Sequence, residues 1–129
     1  MDDEAYHRYV RINLPHARTV TQRIGRSLEA LGAFTEGGNG GAPGLRTAYS
    51  ELEDAVRPFD EDPGPDDAIR AADDVALRAR SLVGAILDTA ARSDRLGQHV
   101  RNLFECLGLA AEGAELSLRC GERPDSPMR

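Results

Sequence analysis

The chain has 129 residues and a net charge of −6, and all sixteen of its basic residues are arginine. A chain this long can bury roughly two-thirds of the surface its unfolded form exposes, so one domain can fold without a metal or disulfide staple. The acidic balance excludes the basic footprint of simple DNA or RNA backbone binding, and no apolar run reaches the length of a membrane span.

Three Tyr, three Phe and no Trp leave the core to Leu, Val, Ile and Ala. That mixture suits close-packed helices and is poor material for a sheet. Ala, Gly and Asp are abundant beside Arg, which reads as GC-rich coding rather than as selection for phosphate recognition.

In the first segment Tyr6, Val10, Ala17, Val20, Ile24, Leu31 and Phe34 recur at alternating three- and four-residue steps. This predicts a long amphipathic helix over roughly residues 3–34. Pro15 predicts a kink, or a helix that starts there, because proline removes one ladder bond and crowds the preceding turn. Asp2, Asp3 and Glu4 suit the positive end of the helix dipole. TEGGNGGAPG, residues 35–44, is a Gly-rich linker. It lacks the Lys-Ser/Thr ending and the preceding strand of a phosphate loop.

Leu45, Tyr49, Leu52, Val56 and Phe59 predict a second helix over about 45–57, stopped by Pro58. The loop FDEDPGPDD follows, and residues 35–68 hold two arginines against nine acids. Asp60, Asp62 and Asp66 are spaced a little like a calcium loop, but Ala71 stands where its closing glutamate belongs.

Ile69, Ala72, Ala76, Ala79, Val83, Ile86 and Ala90 form the clearest seam, widened by Val75, Leu77, Leu82, Ala85 and Leu87. A helix apolar over so much of its circumference is central, and Gly84 is a place for a neighbouring helix to approach. RSDRLGQH, residues 92–99, reads as a boundary, with Ser93 and Asp94 as N-cap residues and Gly97 poor inside a helix. Leu96, Val100, Leu103, Phe104, Leu107 and Ala111 make a fourth apolar face. The seam also continues in register through Ala114 and Leu118, so residues 66–112 could form one helix of about 70 Å. A turn at 92–95 is favoured, since such a helix would be unusual in a short chain. Residues 114–120 read as helix fraying by Cys120, or as a strand.

The predicted fold is therefore an all-α bundle of four helices, or three if 66–112 run on. A single domain over 1–120 precedes a disordered tail over 121–129. The acidic N-terminus without an apolar stretch after it implies a cytoplasmic protein, with Cys106 and Cys120 reduced. On one helix they would lie about 21 Å apart.

Arg92 and His99 are separated by six residues near a predicted helix start, and Arg11 and His16 by four. This resembles the site of the all-helical HEPN ribonucleases, an Arg followed four to six residues later by a His. The resemblance implies that Arg92 and His99 act at a cleaved phosphate, often across a dimer. Ser93 supplies the polar residue the family commonly places after the Arg; Ile12 does not, and Pro15 interrupts the second match. With about one residue in eight an arginine, about one such match arises by chance.

Tyr49-x-x-x-Glu53 is similar to the export signal of type VII secretion substrates, whose helical hairpins carry a Trp-x-Gly turn absent here. Tyr49 is read as a core residue from its register. Glu4-x-x-His7 has one half of a di-iron carboxylate pattern and no second pair. No metal or cofactor is called for. The leading expectation is a non-catalytic interaction module, immunity- or antitoxin-like in one form. It would bind another protein or itself through an apolar seam on helix 1 or helix 3 and an acidic surface that includes Glu53, Asp54, Asp60, Glu61 and Asp62. The alternative is a ribonuclease using Arg92 and His99.

Overall fold

The structure is a computed structural model that describes residues 3–34, 43–58, 65–89 and 91–121. Among them it is all helical: α1 (Asp3–Ala30), α2 (Pro43–Val56), α3 (Pro65–Leu87), α4 (Asp94–Cys106) and α5 (Ala110–Gly121). The 35–42 linker, the acidic residues 59–64 and the 122–129 tail lie outside the described residues.

Two helical hairpins, α2–α3 and α4–α5, share α1 as a common support. α1 packs on α2, α3 and α4, and α3 also touches α5. The α1 stripe predicted from periodicity is the buried one: Val10, Leu14, Ala17, Val20, Ile24 and Leu28 are all interior. The helix runs on through Pro15 rather than starting there. Leu14 and Ala17, on either side, are fully buried, and that packing outweighs the lost ladder bond. α1 ends at Ala30, short of residue 34. Gly32 takes a positive φ of 73°. Its N–H donates to the Glu29 carbonyl, and the Ala33 N–H to that of Leu28. These are the paired bonds of a glycine-terminated helix end.

On α2, Leu45, Leu52 and Val56 are buried. Tyr49 is half-buried. Its hydroxyl donates to the Thr21 carbonyl at 3.3 Å, and its ring lies 5.4 Å from that of Phe34. Its phenol occupies the space a side chain on Gly25 would need. Burial, reinforced by the nearby Glu53 carboxylate, pushes the Tyr49 pKa up to about 12.

α3 buries Ala68, Ala72, Val75, Ala76, Ala79, Leu82, Val83 and Ile86, with α2 on one side and α1 on the other. Its central place follows the breadth of its apolar surface. Two expectations fail in detail. Leu77 is 58% exposed, and Gly84 faces open space rather than a neighbouring helix. The seams on α1 and α3 are covered by the chain's own helices.

The single 66–112 helix does not form. α3 stops at Leu87, and α4 begins at Asp94 behind Ser93. Ser93 is extended (φ −164°, ψ 152°), and its Oγ accepts the Leu96 N–H at 2.9 Å. The predicted fourth helix is two helices. Gly108 has φ 75°, its N–H donates to the Glu105 carbonyl, and the Leu109 N–H to that of Phe104. The chain reverses there, so the apparent seam beyond Leu107 is not one face: Ala111 is exposed and Leu118 is 68% exposed. Residues 114–120 belong to helix α5, not to a strand.

α4 and α5 approach closely because glycines face backbone across their interface. A Cβ on Gly97 would strike the Ser117 carbonyl, and one on Gly113 would lie 3.0 Å from the Arg101 carbonyl oxygen. α1 closes on the end of α4 through two hydroxyls. Tyr9 Oη donates to the Glu105 carbonyl at 2.6 Å and Tyr6 Oη to that of Leu107 at 3.3 Å. They bring side-chain donors to carbonyls at the helix end, that of Glu105 accepting the Gly108 N–H as well. No helix among the described residues is long and apolar enough to cross a membrane.

Candidate functional site

Arg92 follows the end of α3 and folds back on it. Its Nη1 donates to the carbonyls of Ile86, Thr89 and Ala91 at 3.1, 3.3 and 2.8 Å. Its Nη2 donates to that of Leu87 at 3.2 Å. Thr89 assists, with Oγ1 donating to the Ile86 carbonyl and accepting the Ala91 N–H. The guanidinium thus caps a helix C-terminus, where the dipole also favours a cation. Arg92→Ala is expected to cost about 1–2 kcal/mol, and Arg92→Lys to recover only part, because a point charge cannot span several carbonyls. Thermal melts of the two variants test this; a wild-type midpoint for Arg92→Ala would remove the capping role.

His99 lies in the second turn of α4, half-buried. Its Nδ1 is buried with no hydrogen-bond partner. Burial, with the guanidinium groups of Arg23 on α1 and Arg95 on α4, holds its pKa below the usual imidazole value. No hydrogen bond joins His99 to Arg92 among the described residues. Arg92 is directed at α3, whereas His99 has Arg23 and Arg95 for company. The pair that sequence spacing brought together is therefore served by different surroundings. In the other Arg/His match, Arg11 is half-buried and His16 exposed on α1.

The pH dependence of stability follows from His99. An unfolded chain takes up a proton near the ordinary imidazole pKa of about 6.5, while the folded chain resists until lower pH. The unfolded state binds more protons in that window, so acidification through it lowers stability. His99→Gln is expected to flatten the slope of melting temperature between about pH 6.5 and pH 5. An unchanged slope would assign it to other groups.

The acidic residues divide. Glu53 is half-buried and Asp54 exposed on α2; Arg57 lies 3.9 Å from the first and 2.9 Å from the second. Asp60, Glu61 and Asp62 lie outside the described residues. Across the hairpin, Arg78 sits 3.1 Å from Glu51 and 3.6 Å from Asp74. Glu51, Asp54, Ala55, Asp74 and Arg78 line one open groove between α2 and α3. Asp74 joins this surface through tertiary contact, which the acidic segment at 35–68 did not signal. Arg23 joins His99 in the same way, from a helix more than seventy residues earlier.

Cys106 and Cys120 are free. Burial is the main cause that pushes each thiol up to about 11, which keeps both protonated and unreactive at neutral pH. They fall near opposite ends of the α4–α5 hairpin, since Gly121 lies against Asp94. The single-helix spacing predicted for them does not apply. No three His, Cys, Asp or Glu gather as a metal site among the described residues.

Comparison of the chain with protein-family models, with curated proteins and with solved structures found no match.

Proposed function

We propose that the chain is a non-catalytic helical binding protein of the cytoplasm, whose partner is another protein. Its docking surface is the acidic side of the α2–α3 hairpin together with Asp60, Glu61 and Asp62, which follow α2 in the sequence. The observation that carries this reading is the gathering of Glu51, Asp54 and Asp74 from two helices along one open groove. Arg57 and Arg78 offset that charge only in part, because exposed ion pairs are weak and screened. A heteromeric complex fits better than a homodimer, since the chain's own helices already cover the α1 and α3 seams. The ribonuclease reading is less favoured because Arg92 is engaged in capping α3.

The test compares wild-type chain with a variant carrying Glu53→Gln, Asp54→Asn, Asp60→Asn, Glu61→Gln and Asp62→Asn. Each is used as bait in lysate of its own host at about 50 and about 300 mM salt. Protein and RNA are both identified in the eluates. A stoichiometric protein partner, lost at high salt and in the variant, is the expected result. RNA without protein, together with RNA cleavage abolished by His99→Ala, would overturn the reading in favour of the nuclease.

A further inference from the structure

A second charged surface stands apart from the acidic one. Arg95 and His99 are four residues apart on α4, so they share a face one turn apart. α4 packs on α1, with the tyrosine contacts pairing the start of α1 with the end of α4. That antiparallel docking carries Arg23, late in α1, toward the start of α4. Arg23 and Arg95 are both exposed. Neither makes a hydrogen bond or an ion pair with a carboxylate among the described residues. Arg8, Arg57, Arg78, Arg80, Arg101 and Arg119 each have a carboxylate within 4 Å; Arg23 and Arg95, like Arg26, Arg46 and Arg70, do not among the described residues, and of these Arg23 and Arg95 are the two that flank His99.

The imidazole completes the arrangement. Its buried Nδ1 has no partner, and a buried orphan N–H is rarer than a buried orphan acceptor. The ring proton therefore belongs on Nε2, which leaves Nδ1 as a lone pair. Every group the three side chains then offer to solvent is a donor: two guanidinium forks and one imidazole N–H.

We propose that Arg23, Arg95 and His99 form an anion site on the α1–α4 face, built to take a phosphate group. Arginine forks match phosphate oxygens in pairs, and the imidazole N–H supplies a third contact. The phosphate is either free inorganic phosphate or the terminal group of a mononucleotide. The site is independent of the acidic docking surface, and its failure would leave that reading intact. The anion also relieves the repulsion that the two guanidinium groups exert on His99, so binding raises the imidazole pKa.

The test follows the ring signals of the three histidines by NMR in the full chain, titrated with inorganic phosphate or adenosine monophosphate. His99 is expected to shift saturably and to titrate at higher pH with phosphate present, while His7 and His16 stay put. Arg23→Gln and Arg95→Gln are each expected to weaken binding about tenfold. In the absence of phosphate each is expected to raise the His99 pKa, a change that mere loss of packing would not produce. Both arginines are exposed, so the variants fold, and circular dichroism checks this. Equal affinity for the two probes assigns the site to free phosphate; tighter mononucleotide binding assigns it to a nucleotide. The proposal fails if neither probe moves His99 below about 10 mM, or if the two variants bind like wild type.

Discussion

Gly97→Ala is expected to destabilise the protein by about 2 kcal/mol or more, although alanine is the better helix former by about 1 kcal/mol. The added methyl would meet the Ser117 carbonyl oxygen head on, and it would lie 3.3 Å from the Ser117 carbonyl carbon and 3.2 Å from the Gly121 amide. All three are backbone atoms of α5, so no rotamer change can clear them; the whole helix must retreat. Retreat opens the interface where Phe104 packs against Gly113. Gly84→Ala provides the control. Gly84 lies inside α3 with nothing within 4 Å of a new Cβ, so the same exchange is expected to gain about 0.5–1 kcal/mol. Thermal melts should separate the two in sign, at about 4 °C per kcal/mol for a chain of this size. A Gly97→Ala variant that melts with wild type would disprove the close approach of α4 and α5.

The larger loss should come from Phe104→Ala, about 3–5 kcal/mol. Phe104 is the largest fully buried side chain, with no exposure at all. It sits where α4 meets α5, and its Cβ would lie 2.9 Å from one built on Gly113. Relaxation into the cavity is limited because the adjoining backbone is fixed by the Gly108 turn, whose second bond ends on the Phe104 carbonyl. Phe104→Leu keeps most of the volume and is expected to cost about 1 kcal/mol. Urea unfolding midpoints measure both. A loss under about 1 kcal/mol for Phe104→Ala would mean that the site collapses freely.

Three of the five helices were legible from spacing, because their apolar residues keep one register from end to end. Val10 to Leu28 on α1, Leu45 to Val56 on α2 and Ala72 to Ile86 on α3 are the clear cases. The division of α4 from α5 was not legible from spacing. Leu107, Ala111, Ala114 and Leu118 continue the same three-and-four rhythm, although the chain turns back between the first and second. The signal that could have found it was Gly108, a glycine just past the last buried position of a helix. Gly97 misled in the opposite direction. It looks like a breaker, yet it lies within α4 because another backbone needs the space. Composition along one helix cannot report what crosses it. The same limit hid the company of His99: Arg95 is visible at i−4, whereas Arg23 reaches it only by tertiary docking. Arg92 shows the limit from the other side. Its spacing to His99 suggested chemistry, but its guanidinium answers to the carbonyls of α3.

The tyrosine contacts between α1 and α4 carry a kinetic meaning. They join residues 101 and 96 positions apart in the chain, whereas the hairpins close over connections of eight and three residues. Loop-closure entropy favours the short connections, so the α2–α3 and α4–α5 hairpins can assemble before α1 clasps both. The first turns of α1 are then expected to dock late, after the transition state. Tyr9→Phe, which removes a hydroxyl and little else, should speed unfolding while leaving the folding rate nearly unchanged. Amide exchange should follow the same order, fast near Tyr6 and Tyr9 and slow in the middle of α1, where both hairpins press on one helix. Cooperativity in this small protein thus passes largely through α1, helped by the direct contact of α3 with α5: what loosens α1 weakens the tie between two otherwise local units.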